Sequence, residues 1–246
     1  MRQLFCLTKN PSIEHLLGGM EMSVVVAIKS GDKVFIGADS QVTKGGTRAT
    51  LKNPNNYKIW KVDDNDHALM GHVGNVREAN IIRLMTDVID DYDEFRNRVG
   101  YPFVVKFLVP KIIDSLKRAH YLADGDKFEF MDSCFLFAYK DKLFSINSDG
   151  CVLEIDDYVA IGSGSQEAIG SLLSTEGEDP KLRIIKAIKA SAASDIYVDY
   201  PIVLSDTGST KFDVVTETDE HKYLNKKVKK EEVTEAKEKR EKVAKK

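Results

Sequence analysis

Between Ser23 and Thr43 the chain reads SVVVAIKSGDKVFIGADSQVT: two runs of β-branched and apolar residues on either side of Gly31-Asp32. Such runs flanking a glycine-containing turn form a β-hairpin. Neither run alternates cleanly between apolar and polar residues. A strand of that kind is buried on both faces, so the hairpin belongs to a sheet that is covered above and below. A single sheet with one wet face is thereby excluded, and the rest of the chain must supply two covering layers.

The remaining segments can supply them. YKIWKV and HALMGHV read as further strands, split by the turn-like DDND. In NVREANIIRLMTDVIDDYDEF, residues Ile81, Ile82, Leu84, Met85 and Val88 recur at helical spacing. In PFVVKFLVPKIIDSLKRAHYL, Val104, Phe107, Leu108, Ile112 and Leu116 do the same, and Pro110 predicts a kink. SCFLFAYKDKLFSINSDGCVLEIDDYVAIGSGS returns to strands, with a tight turn near Lys140-Asp141. SQEAIGSLLS and PKLRIIKAIKASAAS form a second helix pair, and YPIVLSD and FDVVT close the pattern as strands. Strands, helices, strands, helices, strands: the expected fold is α+β, a four-layer αββα sandwich of two antiparallel sheets between helix layers.

Within the 246 residues, the expected domain runs from 23 to 221. Residues 1–22 are expected to be a leader, a propeptide or a mis-assigned start, and 222–246 a charged tail. That tail carries 11 Lys/Arg against 5 Glu and no Gly or Pro, so it has little to bury and is expected to be disordered. Its net charge of +6 leaves a body of −9. An acidic body and interspersed glutamates argue against a nucleic-acid partner. No apolar run approaches the roughly 18 residues of a membrane span. The polar residues Lys9, Asn10, Glu14 and His15 interrupt any signal-peptide core. Three cysteines without metal-like spacing fit a reducing compartment, so the expected location is cytoplasmic.

The hairpin also bears on chemistry. With a two-residue loop, Ser30 pairs with Lys33 and Ser23 falls opposite Ser40. With a three-residue loop, Ser23 falls opposite Asp39, and a hydroxyl meets a carboxylate. The sequence alone fits either register. Lys58 in NYKIWKV shares a strand face with Trp60 and Val62, an odd place for a cation unless a carboxylate meets it. The ordinary alternative is a strand-end lysine whose ammonium reaches water. His72 and His120 read as structural histidines, and DDYDE around Asp90 as a solvated helix end.

SVVVAIKSGDKVFIGADSQVT resembles the opening of proteasome β-subunits and of the bacterial HslV-type peptidases, with Ser23 where that family has threonine. Ser23 and Asp39 stand 16 positions apart, as in the family. NYKIWKV resembles the family's lysine-bearing strand and supplies Lys58 after an insertion of about three residues. MGHVGN resembles the segment whose glycine amide faces the developing oxyanion, assigned to Gly71. GSGSQEAIGSLL matches the turn that opens a helix and supplies Ser163, and AIKASAASD ends in the family's aspartate, Asp195. The resemblance spans about residues 23–205. It departs from the family where Met22 replaces the usual glycine and where IYVDYP follows Asp195.

The resemblance implies an N-terminal-nucleophile endopeptidase. Ser23 is its nucleophile once residues 1–22 are gone, with Asp39, Lys58, Gly71, Ser163 and Asp195 in the catalytic set, and the hairpin is then expected to use the three-residue loop that places Ser23 across from Asp39. Thr43 and Gly71 would pair with the backbone of an extended substrate. A hydroxyl needs a nearby base, and both Lys58 and a free Ser23 α-amine, whose pKa is near about 7.7–8.0, are suited to that role. The resemblance further implies stacked homo-oligomeric rings, unfolded polypeptide substrates and an AAA+ unfoldase partner. No cofactor is expected and no metal is assigned, although carbonyls around Ser194 and Tyr197 occupy a position that could hold a cation.

Two other functions fit the same residues. One is a catalytically inactive ring subunit that keeps a peptide bond at Ser23; the other is a small-molecule amidase, expected to be a monomer or dimer with a closed pocket. Two routes would free Ser23: self-cleavage after Met22, or translation starting at Met22 and removal of that methionine. GGMEM favours the second, because Gly-Gly can be encoded by a ribosome-binding GGAGGN.

Overall fold

The structure is a computed structural model, described here for residues 22–44, 46–62, 65–85, 99–121 and 131–219. The expected leader apart from Met22, the basic tail and the acidic stretch around Asp90 lie outside the described residues.

The first hairpin is β1 (Val24–Ser30) and β2 (Lys33–Ala38). Its register is Ser30↔Lys33 through Val25↔Ala38, so the loop is the two residues Gly31 and Asp32. Gly31 takes φ +63, a conformation that glycine adopts without a Cβ penalty. The three-residue loop on which the Ser23–Asp39 pairing depended is therefore corrected. With the turn this tight, the ladder sets Ser23 at the level of Ser40, and Asp39 must reach the serine by another path.

Around this hairpin the chain adds β3 (Gln41–Lys44), β4 (Thr47–Thr50), β5 (Ile59–Val62), β6 (Asn65–Val73), β7 (Cys134–Tyr139), β8 (Lys142–Ile146), β9 (Val152–Ile155), β10 (Tyr158–Gly162), β11 (Ile202–Asp206) and β12 (Asp213–Val215). The helices are α1 (Val76–Met85), α2 (Val109–Arg118), α3 (Ser165–Ser174) and α4 (Pro180–Ala192). Among the described residues, one five-stranded sheet has the order β10-β1-β2-β11-β12 and the other β5-β6-β7-β8-β9, both antiparallel. β3 and β4 form a separate ribbon.

Three apolar layers hold these elements together. Val25, Ala27 and Ile36 meet Ile59, Leu69, Leu136 and Leu143 between the two sheets. Val24, Val26 and Ile28, on the opposite face of β1, pack with Ile184, Ile185 and Ile188 of α4. Trp60, Met70, Phe135 and Phe137 pack with Ile81, Ile82, Ile112 and Leu116 of α1 and α2. Successive residues of β1 thus enter different cores, which is why its sequence is apolar without alternation. The four-layer αββα order expected from the sequence is the order found.

Pro110 has a different consequence from a simple kink. It sits in the first turn of α2, where a missing N–H is tolerated, and the preceding Val104–Leu108 is a π-helical turn. No helix of the described residues is long and apolar enough to cross a membrane.

Candidate active site

Ser23 lies immediately before β1, Asp39 immediately after β2 and Lys58 immediately before β5, so three strand ends converge. Lys58 Nζ is 2.6 Å from Ser23 Oγ and 2.7 Å from Asp39 Oδ1. All three side chains are buried. Lys58 stands outside β5, so the alternation that sends Trp60 and Val62 to the helix side does not bind it. Its ammonium meets a carboxylate and does not reach water.

Asp39 reaches this point from the end of its strand. Its Oδ1 accepts from the Val24 N–H at 3.0 Å, and its Oδ2 accepts from the Gln41 N–H at 2.9 Å. The carboxylate thereby folds back over the start of β1 and holds Lys58 against Ser23. The connection between Ser23 and Asp39 runs through the lysine, not across a ladder pair.

Burial is the largest influence on both charged groups. It pushes the Lys58 ammonium below its ordinary value, an effect opposed by the charge and hydrogen bond of Asp39 and by the charge of Asp195. It pushes the Asp39 carboxyl up, opposed by Lys58 and by the two backbone N–H donors. A lysine that gives up its proton more readily than in water is suited to act as a base.

Ser163 also joins the site. Its Oγ accepts from the Ser23 backbone N–H at 3.2 Å and donates to the Ser23 carbonyl at 3.3 Å. Because Met22 is present, the Ser23 nitrogen is an amide, and Ser23 Oγ contacts the Met22 carbonyl oxygen. Asp195 stands one layer back. Its Oδ1 accepts from the Tyr197 N–H at 2.8 Å, and it acts on Lys58 through charge.

Gly71 does not fit the roles assigned to it. His72 N–H donates to the Lys58 carbonyl at 2.9 Å, so His72 faces β5 and the residue before it faces β7. The Gly71 amide is thus committed to Leu136, its partner in the central ladder, and is free for neither an oxyanion nor a substrate strand. A Cβ on Gly71 would lie 2.7 Å from Val25 Cγ1, so this glycine serves the close approach of the two sheets.

The second glycine of MGHVGN is better placed. Gly74, one residue past β6, has φ +113, and a Cβ there would lie 2.4 Å from the Asp132 carbonyl oxygen. None of the described hydrogen bonds uses its N–H. Its neighbour Val73 lies 3.1 Å from where a Gly162 Cβ would sit, and that position also abuts the Ser23 carbonyl. A glycine just beyond a strand's end, where ladder pairing stops, is the signal that could have distinguished it.

Thr43 meets its geometric requirement. Leu51 N–H donates to Ser40 O, which makes Ser40–Leu51 a hydrogen-bonded pair and Thr43–Arg48, three rungs on, a non-bonded one. The Thr43 backbone groups therefore point away from β4, to the ribbon's open edge. Gln41, missed in the sequence, braces this edge: its Nε2 donates to the Ile196 carbonyl at 2.8 Å and to Thr43 Oγ1 at 3.0 Å.

His72 is structural, as expected. Buried, with Nε2 3.0 Å from the Asn75 carbonyl, it has a pKa lowered to about 3, chiefly by desolvation. Its ring should therefore show no NMR titration between pH 7 and pH 4.5. An unfolded histidine takes up its proton near about 6.5, so His72 destabilises the fold progressively as pH falls below that value. A ring titrating near pH 6 would contradict the buried placement.

A double antiparallel sheet between helix layers, with a hydroxyl-bearing residue at the head of β1, is the arrangement of the N-terminal-nucleophile hydrolase folds. The proteasome subunit family model matches residues 22–194. The ATP-dependent protease subunit HslV of Borrelia duttonii is 31% identical over 195 residues, covering 76% of this chain and 97% of that protein. HslV of Borrelia turicatae is 31% identical over 193 residues, covering 75% and 96%. Among solved structures, Anbu from Yersinia bercovieri superposes with TM-score 0.62 at 12% identity, over 87% of this chain and 95% of that one. Thiobacillus denitrificans BPH in complex with epoxomicin gives 0.61 at 20%, over 74% and 97%. The chain belongs to the proteasome subunit family.

Proposed function

We propose that the protein is a proteasome-type peptidase in which Ser23, freed of the residues before it, attacks peptide bonds of unfolded polypeptides. The observation that carries this reading is the Lys58 ammonium placed between Ser23 Oγ and Asp39. An extended substrate adds to the open edge at Thr43, where backbone pairing gives sequence-tolerant affinity. Ser23 Oγ attacks the substrate carbonyl carbon, and its proton passes to Lys58 or to the α-amine. The oxyanion meets the Gly74 N–H; one such donor is worth about 2.7–4 kcal/mol in another serine hydrolase. Collapse breaks the C–N bond, and the leaving amine takes the proton. Water then attacks the ester on Ser23, releases the acid and restores the hydroxyl. Ser163 holds the Ser23 main chain in place, and Asp195 stabilises positive charge on Lys58.

Relatives named ATP-dependent protease subunits support assembly into rings served by an ATPase that unfolds substrates. An enclosed chamber confines such a nucleophile to chains threaded into it. Native protein should therefore give an N-terminal sequence beginning at Ser23, a ring-sized mass by light scattering, and hydrolysis of unstructured peptides.

A second reading is an inactive ring subunit, in which the Met22–Ser23 peptide bond is kept and Ser23 has no free amine. Native protein that keeps residues 1–22 and cuts no peptide would establish it over the first.

A further inference from the structure

We infer that Glu78, in the first turn of α1, is a positioning residue that sets the Gly74–Asn75 turn beside the nucleophile; this rests on the peptidase reading above. Glu78 is fully buried, and none of the described ion pairs supplies it with a cation. Burying a carboxyl without a cation is costly, and a leucine or alanine there would avoid the cost. Its hydrogen bonds show where the carboxyl acts. Oε1 accepts from the Asp132 N–H at 2.9 Å, the neighbouring Ser133 hydroxyl lowers the carboxyl's pKa against the effect of burial, and Oε2 has no hydrogen-bond partner among the described residues. Ser133 Oγ in turn accepts from the Asn75 N–H at 2.9 Å. The Gly74 Cα rests so closely on Asp132 and Ser133 that a Cβ would be 2.4 Å from the first and 2.8 Å from the second.

The result is a relay of contacts: Glu78 holds the Asp132 backbone, the 132–133 backbone abuts Gly74, and the Ser133 hydroxyl holds the Asn75 N–H. Asn75 also accepts Arg77 N–H at its side chain, so the turn is tied to α1 from both sides. Moving Asp132 and Ser133 would move the Gly74 amide relative to Ser23 while leaving the Lys58–Asp39–Ser23 contacts in the other strand ends untouched. Loss of Glu78 should thus impair stabilisation of the oxyanion and spare the nucleophile.

The test uses the full chain with Ser23 exposed, a peptide substrate and a peptide vinyl sulfone. The vinyl sulfone captures the Ser23 oxygen by conjugate addition, with no tetrahedral carbonyl oxyanion. Glu78→Ala should lower kcat on the peptide about 10–100-fold, with KM within about threefold, because a misplaced group costs on that scale. Its vinyl sulfone inactivation rate should stay within about threefold of the parent. Glu78→Gln, whose amide oxygen still accepts from the Asp132 N–H, should retain kcat within about threefold. Ser133→Ala should reproduce the split seen with Glu78→Ala and provides the reading if Glu78→Ala does not fold.

Unchanged kcat in Glu78→Ala, or in Ser133→Ala where it stands in, overturns the inference. So does a parallel loss of both reactivities, which marks a merely structural role. If the parent protein, with Ser23 free, neither cuts peptide nor takes up vinyl sulfone, the peptidase reading fails first and this inference with it.

Discussion

Ser23→Ala should abolish peptide hydrolysis, lowering kcat at least about 10³-fold, while the protein still folds and assembles. A hydroxyl removed from a nucleophile–base pair leaves only binding and oxyanion stabilisation, and in other serine hydrolases such losses reach several orders of magnitude. The change is small in volume, and the backbone N–H that Ser163 receives remains. The measurement is hydrolysis of a fluorogenic peptide by protein made free of host proteases, beside light scattering for assembly. Full activity in Ser23→Ala would place the nucleophile elsewhere and end the proposed mechanism.

Lys58→Met should remove both activity and a large part of the stability. The Asp39 carboxyl would stay buried, still accepting from Val24 and Gln41 but without its cation. Breaking a buried pair from one side costs about 3–5 kcal/mol, which for a domain of this size lowers Tm by about 10 °C. Lys58→Arg separates the two effects. A guanidinium restores positive charge, and with it part of the stability, but it does not release a proton near neutral pH and so should not restore hydrolysis.

The pH profile carries the same sign. Burial holds Lys58 below its ordinary value, so its neutral fraction rises with pH through an apparent pKa below the usual lysine value of about 10.4. Activity should climb through that lowered value. An ascending limb at or above about 10.4, or an active Lys58→Arg, would remove Lys58 from the role of base.

Much of the fold was written in the chain. β1 is apolar without alternation because its two faces enter different cores, and the helices carry their periodicity because one face of each packs on a sheet. Ser23, Asp39 and Lys58 could be named because the family resemblance rests on residue types and spacings that survive in one dimension. Turn length, however, was read one residue too long. A two-residue and a three-residue loop differ only in local backbone geometry, and packing of Val25 and Ile36 between the sheets settled the register.

The sequence by itself determined the layer order, which follows from local pattern, and, through its resemblance to a known family, the three residues that meet at the strand ends. Tertiary structure decided how they meet. Lys58 became a buried bridge instead of a solvated strand-end lysine because β5 brings it from the opposite sheet to where Asp39 already caps the start of β1. It also decided between two glycines three residues apart. Gly71 lies inside the ladder, where both neighbouring strands claim the backbone, and Gly74 lies just beyond it. Whether a backbone amide is already paired depends on which strands flank it, and strand neighbours come from distant parts of the chain.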